Sequence, residues 1–482
     1  MLPTYRWSLT LIVIGALGVV SILGATILVA NYAKNGRATL EQDVARLTSD
    51  NEALEPEPAF PLRVSKNRRY LVDQNGTPFL IQGDTPWSLI LALTSAQVEQ
   101  YLSARHKQGF NALWVGLIDH HFPGAENRYG APFNRYGQTP FLTPGDFARP
   151  NEAYFTYADW VLRRAGELGF AVFLTPCYLG YPGTEEGWYR EVKNTSVETC
   201  REYGRYLGKR YAKYKNIIWV AGGDRAPGEV RPQVLALVEG IREFDPESLW
   251  TAHPARYYAA ADEYGDESWL SLNSTYSGKD VPEECLRDYL RQPVRPSFLF
   301  ESYYENEKAT AKETRRQAWF AVLSGACGQF FGNDPIWYFG AGWPSALSSP
   351  GAVSEVYLRR CLLSRRWEQL VPETGNRFLT DGLGNETNRK AAAMTKDSAT
   401  ALVYLPIGGD VAIDLSALKG PEVRSWWFNP RDGSSGAAGI YAAAGNRTFS
   451  APNRRDWVLV LDSIAHDVPV PGARNIFAAT SN

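Results

Sequence analysis

Between residues 62 and 375 the chain repeats one rhythm: a short apolar run, then an amphipathic stretch of helical length. The runs are PFLIQGD (78–84), FNALWVGLI (110–118), FAVFLTP (170–176), NIIWVAGGD (216–224), LWTAHP (249–254), WLSLNST (269–275), SFLFES (297–302) and GQFFGN (328–333). Helical patterns at 95–108, 153–168, 196–214, 231–243, 281–292 and 312–325 separate them. Strands that alternate with helices cannot pair as hairpins, so they form a parallel sheet buried on both faces. Eight such units predict an α/β fold of the (β/α)8 TIM-barrel type with insertions. A doubly wound sheet is the alternative, but no G-x-G-x-x-G follows the first run, which lowers it.

From about residue 376 the helical pattern stops, and short strands parted by Gly, Pro, Asn and Asp turns take over. They predict a small antiparallel β-sandwich over 376–482, with a loose end after Asp462. At the other terminus, Leu9–Ala30 carries no charge over 22 residues, enough to cross a hydrocarbon layer as a helix. That length exceeds the apolar core of a cleaved signal peptide, so residues 1–37 are expected to be a retained membrane anchor, with cleavage and secretion as the alternative. Leu40, Val44, Leu47 and Leu54 suggest a short helical stalk in a linker over 38–61, ended by EPEPAFP. The charge on either side of the apolar segment does not fix its orientation.

Composition removes several function classes. A formal net charge of −2, without a large basic block in the main body, argues against a nucleic-acid partner. Five widely spaced cysteines form no C-x-x-C pair, and five histidines form no H-E-x-x-H, so neither a metal site nor another cofactor is expected. Asp119, His120 and His121 offer no evident third ligand. The 62 aromatic residues (15 Trp, 26 Tyr, 21 Phe) suit sugar stacking, but they suit core filling equally.

A barrel of this type carries its working groups at the C-terminal ends of its strands. Those ends read Asp84, Asp119, Tyr178, Asp224, His253, Asn273, Glu301 and Asn333. Asp224 on strand four and Glu301 on strand seven lie nearly across the mouth from each other. Two opposed carboxyl groups are what glycoside hydrolysis needs: one protonates the leaving oxygen, and the other attacks the anomeric carbon or activates water. Each residue also has a plainer role open to it. Asp224 could cap the Gly-Gly-Asp turn, Glu301 could pair with an arginine, Glu305 could brace its loop, and Asp84 could tie Thr85 and Trp87 in place.

RVSKNRRYLVDQNGTPFLIQGDTPWSLI (63–90), GFNAL (109–113), WVAGGD (219–224), ESYYE (301–305), GNDPIW (332–337) and DWVLVLD (456–462) together resemble the apiosidase-like glycoside hydrolases. The resemblance spans roughly residues 62–462. It implies a (β/α)8 barrel followed by a sandwich labelled as collagen-binding, and release of the branched furanose apiose from a pectic side chain. It further implies that Asp224 is the acid/base and Glu301 the nucleophile of a retaining reaction, with no cofactor. Asp84 and Trp87 would line the sugar subsite, and His253, Asn273, Glu305, Asn333 and Trp337 are the further candidates for substrate contact. The chain departs from the family at Phe331-Gly332, where a Tyr-Gly pair is usual. It departs again at Tyr276 and Lys279, which stand where Gln and His are expected, so a related furanoside or another glycan is as compatible as an apioside. A carbohydrate partner and an extracytoplasmic barrel follow. The rival is a non-catalytic surface protein that binds glycan or matrix through its sandwich.

Overall fold

A computed structural model describes residues 57–120, 131–375, 377–385, 388–466 and 468–473. The apolar segment Leu9–Ala30, the heptad-like stretch 38–54 and His121 lie outside the described residues. Among the described residues no helix is long and apolar enough to cross a membrane.

Eight parallel strands form the barrel: β1 Ile81–Asp84, β2 Ala112–Gly116, β3 Ala171–Thr175, β4 Ile217–Gly222, β5 Trp250–His253, β6 Asn273–Tyr276, β7 Ser297–Glu301 and β8 Gly328–Phe331. All eight expected strands are present. The ladder runs from β5 down to β1, then through β8 and β7 to β6. The β5–β6 seam is bridged by the amides of Ser271 and Leu272, which donate to the Trp250 carbonyl, and by the Ser274 hydroxyl, which donates to Ala252. The outer layer includes α1 Ser95–Lys107, α2 Glu152–Glu167, α3 Val197–Tyr211, α4 Arg231–Arg242, α5 Val281–Leu290, α6 Ala311–Leu323 and α7 Pro350–Leu363. Their starts are chemically marked. Thr94 and Gln97 form a capping box on α1, while Asn151, Ser196 and Ser349 accept first-turn amides on α2, α3 and α7. Helix α7 is not among the helical patterns listed from the sequence: it is buried along nearly its whole length, so no polar face marks it.

Much of the aromatic excess fills the barrel. Trp114 stacks on Phe173 at 5.7 Å and on Phe300 at 3.6 Å, while Phe330 meets Phe173 at 5.0 Å. Gly83 is required by this packing, because a Cβ there would stand 2.2 Å from the Phe330 ring. Trp114 is therefore core and not a sugar platform.

The C-terminal unit is a six-stranded antiparallel sheet faced by the two-stranded pair Asp410–Asp414 and Asn446–Ser450. Its first strand, Leu370–Pro372, pairs with Ala391–Thr395. Trp319 of α6 stacks on Tyr404 at 6.0 Å, and Asp456 receives Arg315 of α6 at 2.6 Å. The tail is not loose directly after Asp462. Its last strand runs Trp457–Ser463, and Gly472 is held by Ser364 and Arg360 of the α7 region at 3.2 and 3.1 Å.

Candidate active site

The Gly-Gly-Asp stretch leaves β4 through three successive left-handed residues: Gly222 at φ +79°, Gly223 at +152° and Asp224 at +53°. Only glycine takes the middle value readily, and a Cβ at Gly223 would also lie 2.4 Å from the Tyr178 ring. The turn reverses the backbone so that Asp224 meets the tips of β3 and β5. Its N–H donates to His253 Nδ1 at 3.1 Å, and the Tyr178 hydroxyl donates to Oδ2 at 3.2 Å. Oδ1 has no hydrogen-bond partner among the described residues. Burial pushes the Asp224 carboxyl up to about 7, against the opposing pull of Tyr178, Tyr276, Arg256 and Arg225.

Glu301 ends β7 opposite Tyr276 of β6, where the register shifts between Leu299 and Glu301. Its Oε2 stands 3.4 Å from His253 Nε2. Burial pushes this carboxyl well above the ordinary range, the negative charge of Asp224 adds to the rise, and the Tyr304 hydroxyl and Arg256 oppose it. Tyr304 also accepts the Trp87 indole N–H at 3.1 Å, so Trp87 is linked to Glu301 through one hydroxyl. The two carboxyls thus stand in one desolvated pocket, where the charge of Asp224 raises the proton affinity of Glu301, the condition under which such a pair holds a single proton.

The other candidate residues divide. Trp87 is buried at the floor, its ring 5.4 Å from those of Tyr178 and His253. His253 lies within the site but is fully buried, with Nδ1 accepting the Asp224 amide and Nε2 3.4 Å from Glu301 Oε2, an oxygen with no hydrogen-bond partner among the described residues. Trp337 is half-buried against Tyr338 at 4.6 Å, and its carbonyl accepts the Ser88 amide at 3.2 Å.

Asp84, Asn273, Glu305 and Asn333 are not placed to contact substrate. Asp84 is fully buried and bound to Arg105 of α1 at 2.5 Å and to Tyr101 at 2.6 Å. Asn273 accepts the Ala261 amide at 2.8 Å, fixing the short helix Ala260–Tyr264. Glu305 accepts from Ser349 at 2.5 Å and from the Gly351 amide at 2.8 Å, so its charge holds the N-terminus of α7. Asn333 donates to that same carboxylate at 2.9 Å. Each sits at a strand tip, yet each serves a helix or a loop.

Several neighbours were not assigned a role from sequence. Tyr178, Tyr276 and Tyr304 surround the acids with hydroxyls, and half-buried Arg256 lies over Tyr257 and Tyr303 at 5.3 and 5.5 Å. Tyr178 and Tyr276 were visible at strand ends and Tyr304 in the ESYYE motif. Arg256 and Glu186 had no signal, since both come from loops. Burial pushes Glu186 up to about 7, with the charge of Asp224 adding to it, and burial holds Asp119 at about 8.

A barrel with an acidic pair at its mouth defines the class, and the comparisons agree: the protein is a glycoside hydrolase acting on carbohydrate. Residues 65–369 match the family described as "Apiosidase-like, catalytic domain", and 376–462 match "Putative collagen-binding domain of a collagenase". The chain belongs to the apiosidase-like family. No curated protein matches it. Among solved structures, one titled "Glycoside hydrolase" is 23% identical with a TM-score of 0.74, the match covering 85% of this chain and 98% of that one. A family 5 glycoside hydrolase from Bacteroides vulgatus is also 23% identical at a TM-score of 0.74, with 84% and 94% covered. At that identity these two likenesses speak for the fold.

Proposed function

We propose that the enzyme is a retaining glycosidase, with Asp224 as acid/base and Glu301 as nucleophile, acting on an apioside or a related furanoside. The observation that carries this reading is that the tips of β4 and β7 bring two buried carboxyl-bearing segments to the two nitrogens of one imidazole, the charge of Asp224 raising the proton affinity of Glu301. In the first step a Glu301 carboxylate oxygen attacks the anomeric carbon. The glycosidic C–O bond breaks, and the Asp224 proton goes to the departing oxygen. In the second, Asp224, now a carboxylate, takes a proton from water. The water oxygen attacks the anomeric carbon, and the ester bond to Glu301 breaks. Tyr276, where the family usually has Gln, borders both acids and supports a subsite shaped differently from that of an apioside-specific relative.

The test is hydrolysis of aryl furanosides, aryl pyranosides and pectic oligosaccharides by the chain from about residue 60. The expected result is retention of configuration in the first product, seen by proton NMR, and loss of turnover in Asp224→Ala and Glu301→Ala. An inverted product would refute the nucleophile role, and full activity in either variant would refute the pair. The same reading has Leu9–Ala30 tether the barrel outside the cytoplasm, supported by its uncharged length. The full chain is then expected in membranes, released by detergent and not by alkaline carbonate.

A further inference from the structure

His253 is buried to 1%, and its ring is confined by Phe300 at 4.5 Å, Trp87 at 5.4 Å, Tyr276 at 5.6 Å, Tyr178 at 5.8 Å and Trp114 at 6.0 Å. Inside this cage the imidazole cannot turn to meet a ligand. Its two nitrogens instead face the two acid-bearing segments: Nδ1 accepts the Asp224 amide at 3.1 Å, and Nε2 stands 3.4 Å from Glu301 Oε2.

The Asp224 amide belongs to a turn in which an aspartate holds φ +53° after two left-handed glycines. Such a conformation persists only where the surroundings over-determine it, and a buried N–H must find an acceptor. His253 is that acceptor. A neutral imidazole carries one N–H, so a ring that accepts at Nδ1 bears its proton on Nε2, directed at Glu301. The Pro254 carbonyl, 3.0 Å from Nδ1, offers the opposite tautomer a partner. In that tautomer, however, two N–H groups would point at each other across the 3.1 Å contact, and Nε2 would turn a lone pair towards Glu301. An ionised Glu301 therefore selects the Nε2–H form, which is also the form that holds the Asp224 turn. The 3.4 Å approach is the kind of site contact that shortens when substrate is bound.

We propose that His253 is a positioning residue that couples the ionised nucleophile Glu301 to the backbone turn presenting Asp224, as a neutral Nε2–H imidazole. The proposal rests on the assignment of those two acids as the reacting pair. The titratable and charged groups acting on the two acids the ring faces are Tyr178, Tyr276, Arg256 and Arg225 at Asp224, and Asp224, Tyr304, Glu307 and Arg256 at Glu301. Burial depresses the imidazolium to about 3, so the ring stays uncharged throughout the working range.

The experiment combines nitrogen-15 NMR of histidine-labelled wild type with pH profiles of His253→Asn and His253→Gln. Asparagine puts an acceptor where Nδ1 stands but has no donor for Glu301; glutamine reaches the Nε2 position but leaves the Asp224 amide without its acceptor. Wild type is expected to show one histidine as the Nε2–H tautomer, unprotonated from pH 8 to pH 4. In His253→Asn the acid limb of kcat/KM should rise by about one pH unit, with kcat down about tenfold and KM within twofold. In His253→Gln the acid limb should stay in place while kcat falls by a similar factor. A dominant Nδ1–H tautomer, an ordinary titration near 6.5, or a wild-type acid limb in His253→Asn would overturn the proposal. The NMR arm needs no turnover, so a wild type inactive on every glycoside would refute the catalytic assignment while the tautomer is still decided.

Discussion

The proton on Asp224 is the quantity from which a rate can be worked. Burial pushes its carboxyl up from 3.8 to about 7, and the Glu301 carboxyl beside it is raised well above its ordinary range. The pair holds one proton in its active state, so raising the pH until that proton leaves removes the general acid and kcat/KM falls; lowering it until both carboxyls are protonated removes the nucleophile. Tyr178→Phe isolates one contribution. Its hydroxyl stabilises the charged carboxylate from 3.2 Å, and a hydrogen bond to a charged group contributes about 1.5–3 kcal/mol at good geometry. At this longer distance about 1 kcal/mol is reasonable, and its loss must raise the Asp224 value, moving the alkaline limb upward by roughly 1 unit. The ring remains to pack on Trp87 at 5.4 Å. Stopped assays of glycoside hydrolysis from pH 4 to 9 measure both limbs. A wild-type alkaline limb at 4–5, or one that moves downward in Tyr178→Phe, refutes this account of the acid.

Two further outcomes concern the frame of the site. Glu355 of α7 is buried, accepts from Gln82 and Gln329 at 3.0 and 2.7 Å, and is pushed up to about 8 by burial. A raised acid stabilises the fold below its unfolded value near 4.5 and loses that contribution as pH rises through 8; Glu355→Gln should therefore gain about 3 kcal/mol over wild type between pH 5 and pH 8, read from urea midpoints, and an unchanged difference would refute it. Burial works against the Asp456 charge, but Arg315 and Arg431 hold its carboxyl below the usual range; Asp456→Ala strands two guanidiniums between barrel and sandwich and should cost about 3–5 kcal/mol in the same assay at pH 7, where a loss under about 1 kcal/mol would show the pair to be dispensable.

Much of the architecture was legible because eight apolar runs are parted by six helical patterns, which calls for a parallel sheet buried on both faces, and the missing glycine fingerprint after the first run favoured the barrel over a doubly wound sheet. What the pattern concealed was where side chains at the strand ends point. On β1 the strict alternation sends Gln82 and Asp84 outward, to Glu355 and to Arg105, while Gly83 faces Phe330 inside. Parity alone could have removed Asp84 from the sugar-binding set. Glu305, Asn273 and Asn333 lie beyond that test: what they hold is fixed by Ser349, Gly351, the Ala261 amide or one another, none of it marked by local spacing.

The two acids of the pair reach the mouth by breaking the alternation. On β7 the register against β6 steps from Leu299 to Glu301 while its partner steps only from Thr275 to Tyr276, leaving Phe300 as the extra residue of a bulge. Two sequence neighbours therefore face one way: Phe300 lies 4.5 Å from the His253 ring, and Glu301 lies 3.4 Å from Nε2 of that ring. Asp224 reaches the same ring from the other side through its left-handed turn, beyond the last residue of β4. A regular strand end would have sent Glu301 towards the helices, as it did Asp84. The carboxyl pair thus depends on two local irregularities that meet at one buried imidazole, which is why the motifs located it and the strand pattern by itself could not.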